Sequence, residues 1–78
     1  MSTRDRLQEI FRIVMEDDAL ILTDDLTADQ VPGWDSVAHV SLMFTIESEF
    51  GLHFQDDQLT AFRTVGELLR FVESRVSI

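Results

Sequence analysis

The chain has 78 residues, a formal net charge of −9 and no cysteine. A chain this short forms one small domain, and without cysteine it cannot use disulfides or thiolate metal sites for stability. It contains neither an apolar secretion signal nor a run of the ~20 apolar residues needed to span a membrane, so we expect a soluble, monomeric protein of the cytoplasm.

The first helix is predicted over residues 3–16. Ser2, with Asp5 three residues later, matches a capping box at the start of a helix. The acids at residues 16–18 lie at the negative end of the helix dipole and should weaken the last turn. The apolar residues that share one face at helical spacing are Leu7, Ile10, Phe11 and Val14.

Residues 17–35 form a long connection. At its centre, Val31-Pro32-Gly33 is a turn signal, because proline restricts the backbone and glycine frees it. The connection holds too many apolar residues for a linker in water, so we expect it to pack across the helices, partly as a short helical turn. These residues are Ile21, Leu22, Leu26, Val31 and Trp34. Long ordered loops of this kind are uncommon and often functional.

The second helix is predicted over residues 35–50. Gly51 follows it, because glycine adopts the left-handed conformation at a helix end without steric cost. At 100° per residue, its core face comprises Val40, Leu42, Met43, Ile46 and Phe50. Its outer face comprises Ala38, Ser41, Thr45, Ser48 and Glu49. Val37 and Phe44 fall at the border between the faces, which gives this helix a partly exposed apolar edge.

The segment after the second helix should turn Leu52 and Phe54 inward. A short helix is expected over residues 56–62. Its expected cap is Asp56 or Asp57, and its expected inward residues are Leu59 and Phe62.

The last helix opens at Thr64, which forms a capping box with Glu67. Its apolar residues at helical spacing are Val65, Leu68, Leu69, Val72 and Val76. The chain shows no alternating strand pattern. We therefore predict an all-α fold, a small four-helix bundle of three main helices and one short helix, with a long first loop.

Charge is concentrated in the middle of the chain. Residues 23–60 contain eight acids and no lysine or arginine, whereas residues 1–22 and 61–78 each hold three arginines. A field of one sign repels nucleic acid and anionic membranes, and it attracts basic protein surfaces. The acids do not match a calcium-binding loop, and His39 and His53 lack a third metal ligand. We expect no dedicated metal site and no nucleic-acid partner.

Enzyme motifs are weak. Ser36 and His39 lie three residues apart on one helix with Asp35 beside them, which is the residue set of a serine hydrolase. A small bundle offers little room for an oxyanion hole and a substrate pocket. Ser36 also lacks the following glycine that a nucleophile elbow requires, and the three glycines form no phosphate loop. We do not expect an enzyme.

Ser36 suits covalent modification. It stands where the long connection meets the most apolar helix. A hydroxyl at a helix N-terminus is exposed, and a phosphate diester attached there lies against the positive end of the helix dipole. An ordinary helix cap explains the same serine, so the residues by themselves leave both interpretations open.

Two segments resemble the acyl carrier protein family. Residues 33–40, Gly-Trp-Asp-Ser-Val-Ala-His-Val, are similar to the family's Asp-Ser-Leu attachment motif. Residues 46–52, Ile-Glu-Ser-Glu-Phe-Gly-Leu, are similar to the end of its second helix. The order of elements also resembles that family over nearly the whole chain, so residues 1–78 are expected to form a single, discrete acyl carrier domain.

The resemblance implies a carrier with a prosthetic arm. Ser36 would bear 4′-phosphopantetheine, transferred from coenzyme A by a phosphopantetheinyl transferase, and the arm's thiol would hold acyl groups as thioesters. Asp35 would help present Ser36 and Mg²⁺-bound coenzyme A to the transferase. Acyl-activating, condensing or acyltransferase enzymes with basic patches would be the other partners. The implied partner contacts are the apolar Val37 and Phe44 and the acidic Glu47 and Glu49.

The chain departs from the family pattern on the second helix. Val37 replaces the usual leucine, and Ala38, Ser41 and Ser48 are uncharged where fatty-acid carriers commonly have acids. These differences favour a specialised polyketide, lipid or other acyl assembly pathway. The alternatives are the general carrier of fatty-acid synthesis and a non-covalent acidic adaptor that lacks the arm.

Overall fold

The computed structural model describes residues 2–58 and 61–76, and within these ranges it is helical, without a β-strand. The helices are α1 (Thr3–Val14), α2 (Ser36–Phe50) and α3 (Val65–Val76), and two 3₁₀ turns cover Ala28–Gln30 and Asp56–Gln58. Helix α1 packs against both α2 and α3. The all-α prediction is confirmed. In the part of the chain described, no helix combines the length and the apolar character needed to cross a membrane.

Helix α1 begins as predicted and ends two residues before the predicted end. Ser2 accepts a hydrogen bond from the Asp5 N–H at 3.1 Å, and the Asp5 carboxylate accepts one from the Ser2 N–H at 3.4 Å. At the other end, Glu16 has a left-handed backbone with φ of 55°. The Asp17 N–H donates to the Arg12 carbonyl at 3.0 Å. This closure is a Schellman motif, which ends the helix before the acidic run.

The connection between α1 and α2 is fastened to α1 by three polar side chains. Arg4, Gln8 and Arg12 are spaced four residues apart and therefore share one face of α1. Arg4 donates to the Leu22 carbonyl at 3.2 Å, and Gln8 accepts from the Leu22 N–H at 3.0 Å. Arg12 donates to the Leu20 carbonyl at 2.8 Å. The loop backbone is thereby held along the helix.

The same connection is joined to the start of α3. The Gly66 N–H donates to the Asp24 carbonyl and the Val65 N–H donates to the Leu26 carbonyl, both at 2.9 Å. These N–H groups have no partner within α3, because they belong to its first turn. Arg4 pairs with the Asp24 carboxylate. The connection therefore ties α1 to α3.

The core lies between the helices and beneath the connection. Leu22 and Val31 are buried as predicted, whereas Ile21 is 66% exposed. The prediction for Ile21 was wrong because its neighbours Leu20 and Leu22 both bond to α1, which turns the side chain between them outward. The helical residues of the core include Leu7, Ile10, Phe11, Leu42, Met43, Ile46, Val65, Leu68, Leu69 and Val72.

The predicted short fourth helix is a single 3₁₀ turn in the described residues, Asp56–Gln58. The Gln58 side chain accepts a hydrogen bond from the Gln55 N–H at 2.9 Å and so closes the turn. The prediction that Leu59 points inward and the prediction of a cap at Asp56 lie outside what the structure describes. Short 3₁₀ turns are common connectors between helices, and this one replaces the expected helix.

Aromatic packing closes this end of the bundle. The rings of Phe54 and Phe71 stack with centroids 5.3 Å apart, and Phe62 lies 5.9 Å from Phe54 and 5.4 Å from Phe71. The inward positions predicted for Phe54 and Phe62 are thus confirmed. At the start of α3, the Thr64 hydroxyl accepts from the Glu67 N–H at 3.3 Å, which is one bond of the predicted capping box. The Glu67 carboxylate accepts from the Arg63 N–H at 3.2 Å, one residue before the position that the box predicts.

Gly66 offers a direct test of the joint between the connection and α3. A Cβ at this position would lie 2.8 Å from the Asp24 carbonyl oxygen. Alanine normally stabilises a helix by about 1 kcal/mol relative to glycine. Overpacking costs about 1–3 kcal/mol, and backbone atoms cannot rotate away as a side chain can. We expect Gly66→Ala to lower the free energy of unfolding, measured by urea denaturation.

The matched control for this substitution is Glu73→Ala, at an exposed position of the same helix. It should leave the urea midpoint nearly unchanged. A Gly66→Ala protein as stable as the wild type would show that the connection does not depend on this close approach.

Candidate functional site

A tight turn leads the chain into α2. The Trp34 N–H donates to the Val31 carbonyl at 3.1 Å, and Gly33 has φ of 89°. Proline at the second position and a glycine of positive φ at the third are the features of a type II turn. The turn directs Trp34 against the core and leaves Ser36 exposed at the surface.

Asp35 caps α2 and positions Ser36. Its carboxylate accepts a hydrogen bond from the Ala38 N–H at 2.9 Å, and its carbonyl accepts one from the His39 N–H at 2.8 Å. Ser36 is then the first residue of α2, which has 15 residues and ends at Phe50 as predicted. Its hydroxyl stands at the positive end of the helix dipole, which favours an attached phosphate. The role of Asp35 toward coenzyme A stays a prediction.

Trp34 and His39 form a hydrogen-bonded aromatic pair beside Ser36. The indole Nε1–H donates to His39 Nδ1 at 3.1 Å, and the rings stack with centroids 6.2 Å apart. Trp34 also meets Phe11 of α1 edge-on at 5.2 Å, so the pair is anchored to the core. Because Nδ1 accepts this hydrogen bond, the ring proton lies on Nε2, and neither nitrogen in this arrangement is set to take a proton from Ser36. The arrangement does not favour the serine-hydrolase alternative.

The aromatic pair forms part of an open groove next to Ser36. Sequence patterns predicted Asp35 and Ser36 as site residues but not Trp34 and His39. No spacing in the sequence indicates this pair, because Trp34 precedes α2 and residues five apart are not neighbours on a helix. The residues that line the groove are Ala28, Trp34, Asp35, Ser36, His39 and Val40.

An apolar stripe lies exposed along α2. Val37, Val40 and Phe44 recur at helical spacing and are 76%, 54% and 66% exposed. The exposed edge predicted from Val37 and Phe44 is confirmed, but the core position predicted for Val40 is wrong. Helix α2 has more apolar residues than one buried face can hold. Its buried residues are Leu42, Met43 and Ile46, while Ala38, predicted on the outer face, packs against the core.

The two acidic residues predicted as partner contacts differ in their surroundings. The Glu47 side chain is only 20% exposed, and its carboxylate accepts from the Phe54 N–H at 2.7 Å and lies 3.2 Å from His53 Nδ1. Glu49 is exposed, and its backbone carbonyl accepts a hydrogen bond from the Arg6 guanidinium at 2.9 Å. Glu47 therefore holds the turn after α2, whereas Glu49 presents its charge to solvent. Partner contact by either residue stays a prediction.

The site offers a residue for a covalent cofactor. The Ser36 hydroxyl can form an ester with a phosphate group, and the adjacent groove can lodge the start of an attached arm. Among residues 2–58 and 61–76, no three histidine, aspartate or glutamate side chains approach closely enough to hold a metal ion.

Comparison with known proteins agrees with this geometry. Residues 5–72 match the family model described as a phosphopantetheine attachment site. The acyl carrier protein of Rickettsia typhi is 34% identical over 82 residues, and that of Rickettsia massiliae 33%; each comparison covers 99% of this chain and 94% of the relative.

A solved structure shares the fold as well. The solution NMR structure of a holo acyl carrier protein from Geobacter metallireducens matches with a TM-score of 0.89 and 32% sequence identity. The match covers 99% of this chain and 88% of that chain. Acyl carrier proteins work through a covalently attached 4′-phosphopantetheine and are carriers rather than catalysts. The matched segment spans most of the sequence, and so this chain belongs to the acyl carrier protein family.

Proposed function

We propose that Ser36 bears the 4′-phosphopantetheine arm and that the protein delivers acyl groups, held as thioesters on this arm, to partner enzymes. The observation that carries this proposal is the exposed Ser36 hydroxyl at the first position of α2, directly after the Asp35 cap. A transferase must reach this hydroxyl, and the phosphate left behind is stabilised at a helix N-terminus. The chain contains no cysteine, so the reactive thiol comes with the arm.

Partner enzymes would recognise α2. The exposed stripe of Val37, Val40 and Phe44 begins beside Ser36, and a few side chains buried at the centre of an interface contribute most of its binding energy. Glu49 adds an exposed negative charge on the same helix. Charges at the rim of an interface mainly guide the encounter. A partner with an apolar pocket and a basic rim fits this surface.

The pathway is proposed to be a specialised one, such as polyketide, lipid or other acyl assembly. Ala38, Ser41 and Ser48 are neutral, and the structure places Ser41 and Ser48 on the exposed surface of α2. A partner that relies on several acidic contacts along this helix would find fewer of them here. The carrier of general fatty-acid synthesis is the alternative.

Loading of the arm tests the proposal. Incubation with coenzyme A, Mg²⁺ and a broad-specificity phosphopantetheinyl transferase should add one phosphopantetheine, detected by intact-mass spectrometry. Ser36→Ala should abolish the gain because it removes the only proposed ester-forming oxygen. Ser41→Ala, which alters another exposed serine of the same helix, should leave loading intact.

Two results would count against the proposal. A gain that persists in Ser36→Ala would place the arm elsewhere. No gain with several unrelated transferases would favour a non-covalent adaptor that uses the apolar stripe of α2.

Charge reversal tests partner recognition. Glu49→Lys should slow acyl transfer from a cognate enzyme by roughly 1.5- to five-fold at low salt, the range expected for an exposed charge pair. The salt dependence of the rate should become shallower, because an attraction has been removed. The measurement is the initial transfer rate as a function of ionic strength.

The control is Glu73→Lys, which makes the same change of charge at an exposed position of α3. It should leave the rate near that of the wild type. Glu47 is unsuitable for this test, because reversal there also removes the acceptor of the Phe54 N–H. Equal effects of the two reversals would show that net charge, and not the surface of α2, sets the rate.

A further inference from the structure

The residues on either side of Ser36 are bonded to each other. The Trp34 indole N–H donates to His39 Nδ1 at 3.1 Å. The His39 backbone N–H donates to the Asp35 carbonyl at 2.8 Å. Ser36 thus lies inside a segment, residues 34–39, whose two ends are held together. A large change in the backbone at Ser36 therefore strains or breaks one of these bonds.

Trp34 is itself anchored to the rest of the molecule. Its backbone N–H donates to the Val31 carbonyl at 3.1 Å, and its indole meets Phe11 of α1 edge-on at 5.2 Å. Both Val31 and Phe11 are buried in the core. Trp34 is held by its backbone and by its side chain, and the indole N–H passes this restraint on to His39.

The first turn of α2 benefits from such a restraint. Ser36 and Val37, its first two residues, have a lower helix propensity than alanine. The ends of helices also open more readily than their middle. The Asp35 carboxylate caps the turn through the Ala38 N–H at 2.9 Å. The bond from Trp34 adds a restraint that comes from outside the helix.

Loading of the arm requires a defined direction of the Ser36 hydroxyl. The transfer forms a bond between Ser36 Oγ and the phosphorus that bears the pantetheine, and it breaks the pyrophosphate bond of coenzyme A. The hydroxyl proton passes to a base of the transferase, and adenosine 3′,5′-bisphosphate leaves. A displacement of about 1 Å at a reacting atom can slow a reaction by about 100-fold. An open first turn would point the hydroxyl in several directions, few of them productive.

We propose that Trp34 and His39 are positioning residues for the loading of Ser36. Their hydrogen bond holds the first turn of α2 in the conformation that presents the hydroxyl to the transferase. Neither side chain takes part in the bond-forming step. This inference rests on the proposed attachment of the arm to Ser36.

Substitutions at the two ends of the bond test the proposal. Trp34→Phe keeps an aromatic ring next to Phe11 but removes the N–H donor. His39→Leu removes the acceptor, whereas His39→Asn keeps an acceptor because its Oδ1 takes the place of Nδ1. The matched control is His53→Leu, which removes an exposed histidine outside the segment. The midpoint of urea denaturation verifies that each variant is folded.

The first readout is kcat/KM for loading by a broad-specificity transferase with coenzyme A and Mg²⁺, followed by intact mass. Trp34→Phe and His39→Leu should each lower it by about two- to five-fold, the upper value being the equivalent of one hydrogen bond. The combined variant should be no slower than the slower single variant, because the second substitution removes a bond that is already lost. His39→Asn and His53→Leu should stay near the wild-type value.

The second readout is amide hydrogen exchange of the unloaded protein, which tests the positioning without the transferase. The Ala38 and His39 amides both donate to Asp35 in the first turn. In Trp34→Phe, their exchange through local opening should become faster by about five-fold, because one hydrogen bond no longer opposes the opening. Exchange at Ile46, in the interior of α2, should not show this local acceleration.

Three outcomes would overturn the inference. Additive losses in the combined variant would show that Trp34 and His39 act separately. A loss in His39→Asn as large as that in His39→Leu would show that the shape of the imidazole matters and the bond does not. Unchanged exchange at Ala38 in Trp34→Phe would show that the bond does not hold the first turn.

The wild-type protein separates this inference from the proposed function. If it gains no phosphopantetheine with any transferase, the proposed function fails and the inference fails with it. If the wild type and all variants are loaded at one rate, only the inference about Trp34 and His39 fails.

Discussion

The position of the functional site depends on how the connection between α1 and α2 is held. Its own backbone hydrogen bonds close only short local turns, so its placement against the bundle relies on groups from the helices around it. Arg4, Gln8 and Arg12 bond to it from α1, and the first N–H groups of α3 bond to Asp24 and Leu26. Backbone groups near a core must be paired. Together with the 3₁₀ turn Ala28–Gln30, these bonds fix a long loop in one conformation.

The fixed connection determines where Ser36 lies. The loop carries Val31 into the core, the following turn places Trp34 against Phe11, and Asp35 then caps α2. Each step leaves the next residue little freedom, so Ser36 emerges at the surface with the helix dipole behind it. A covalent arm needs this combination. The attachment point must be accessible to a transferase, yet its direction must be set by a rigid base.

The helix boundaries and most of the core follow from periodicity and capping signals, and so does the place of Ser36. The bonds from α1 to the connection were not predicted, because Arg4, Gln8 and Arg12 match the pattern of an ordinary solvent-exposed helix face. These side chains bond to backbone atoms of the loop, and sequence patterns do not indicate which backbone atoms a side chain will contact. The roles of Trp34 and His39 were missed for a similar reason, since one belongs to the loop and the other to the helix. The short fourth helix was predicted from a capping acid and two apolar residues, and the structure shows a 3₁₀ turn in the part of that segment that it describes.

The orientation of α2 shows where periodicity fails. Apolar residues occupy both its buried face and its exposed stripe, so the pattern does not specify which side turns inward. Contacts at its two ends specify this instead. At the start, His39 accepts a hydrogen bond from the anchored Trp34. At the end, Glu47 accepts the Phe54 N–H, and Arg6 lies over the Phe50 ring. A helix held at both ends keeps its rotation even though Val40 and Phe44 remain in water. The exposed apolar stripe of α2 is therefore maintained by polar contacts.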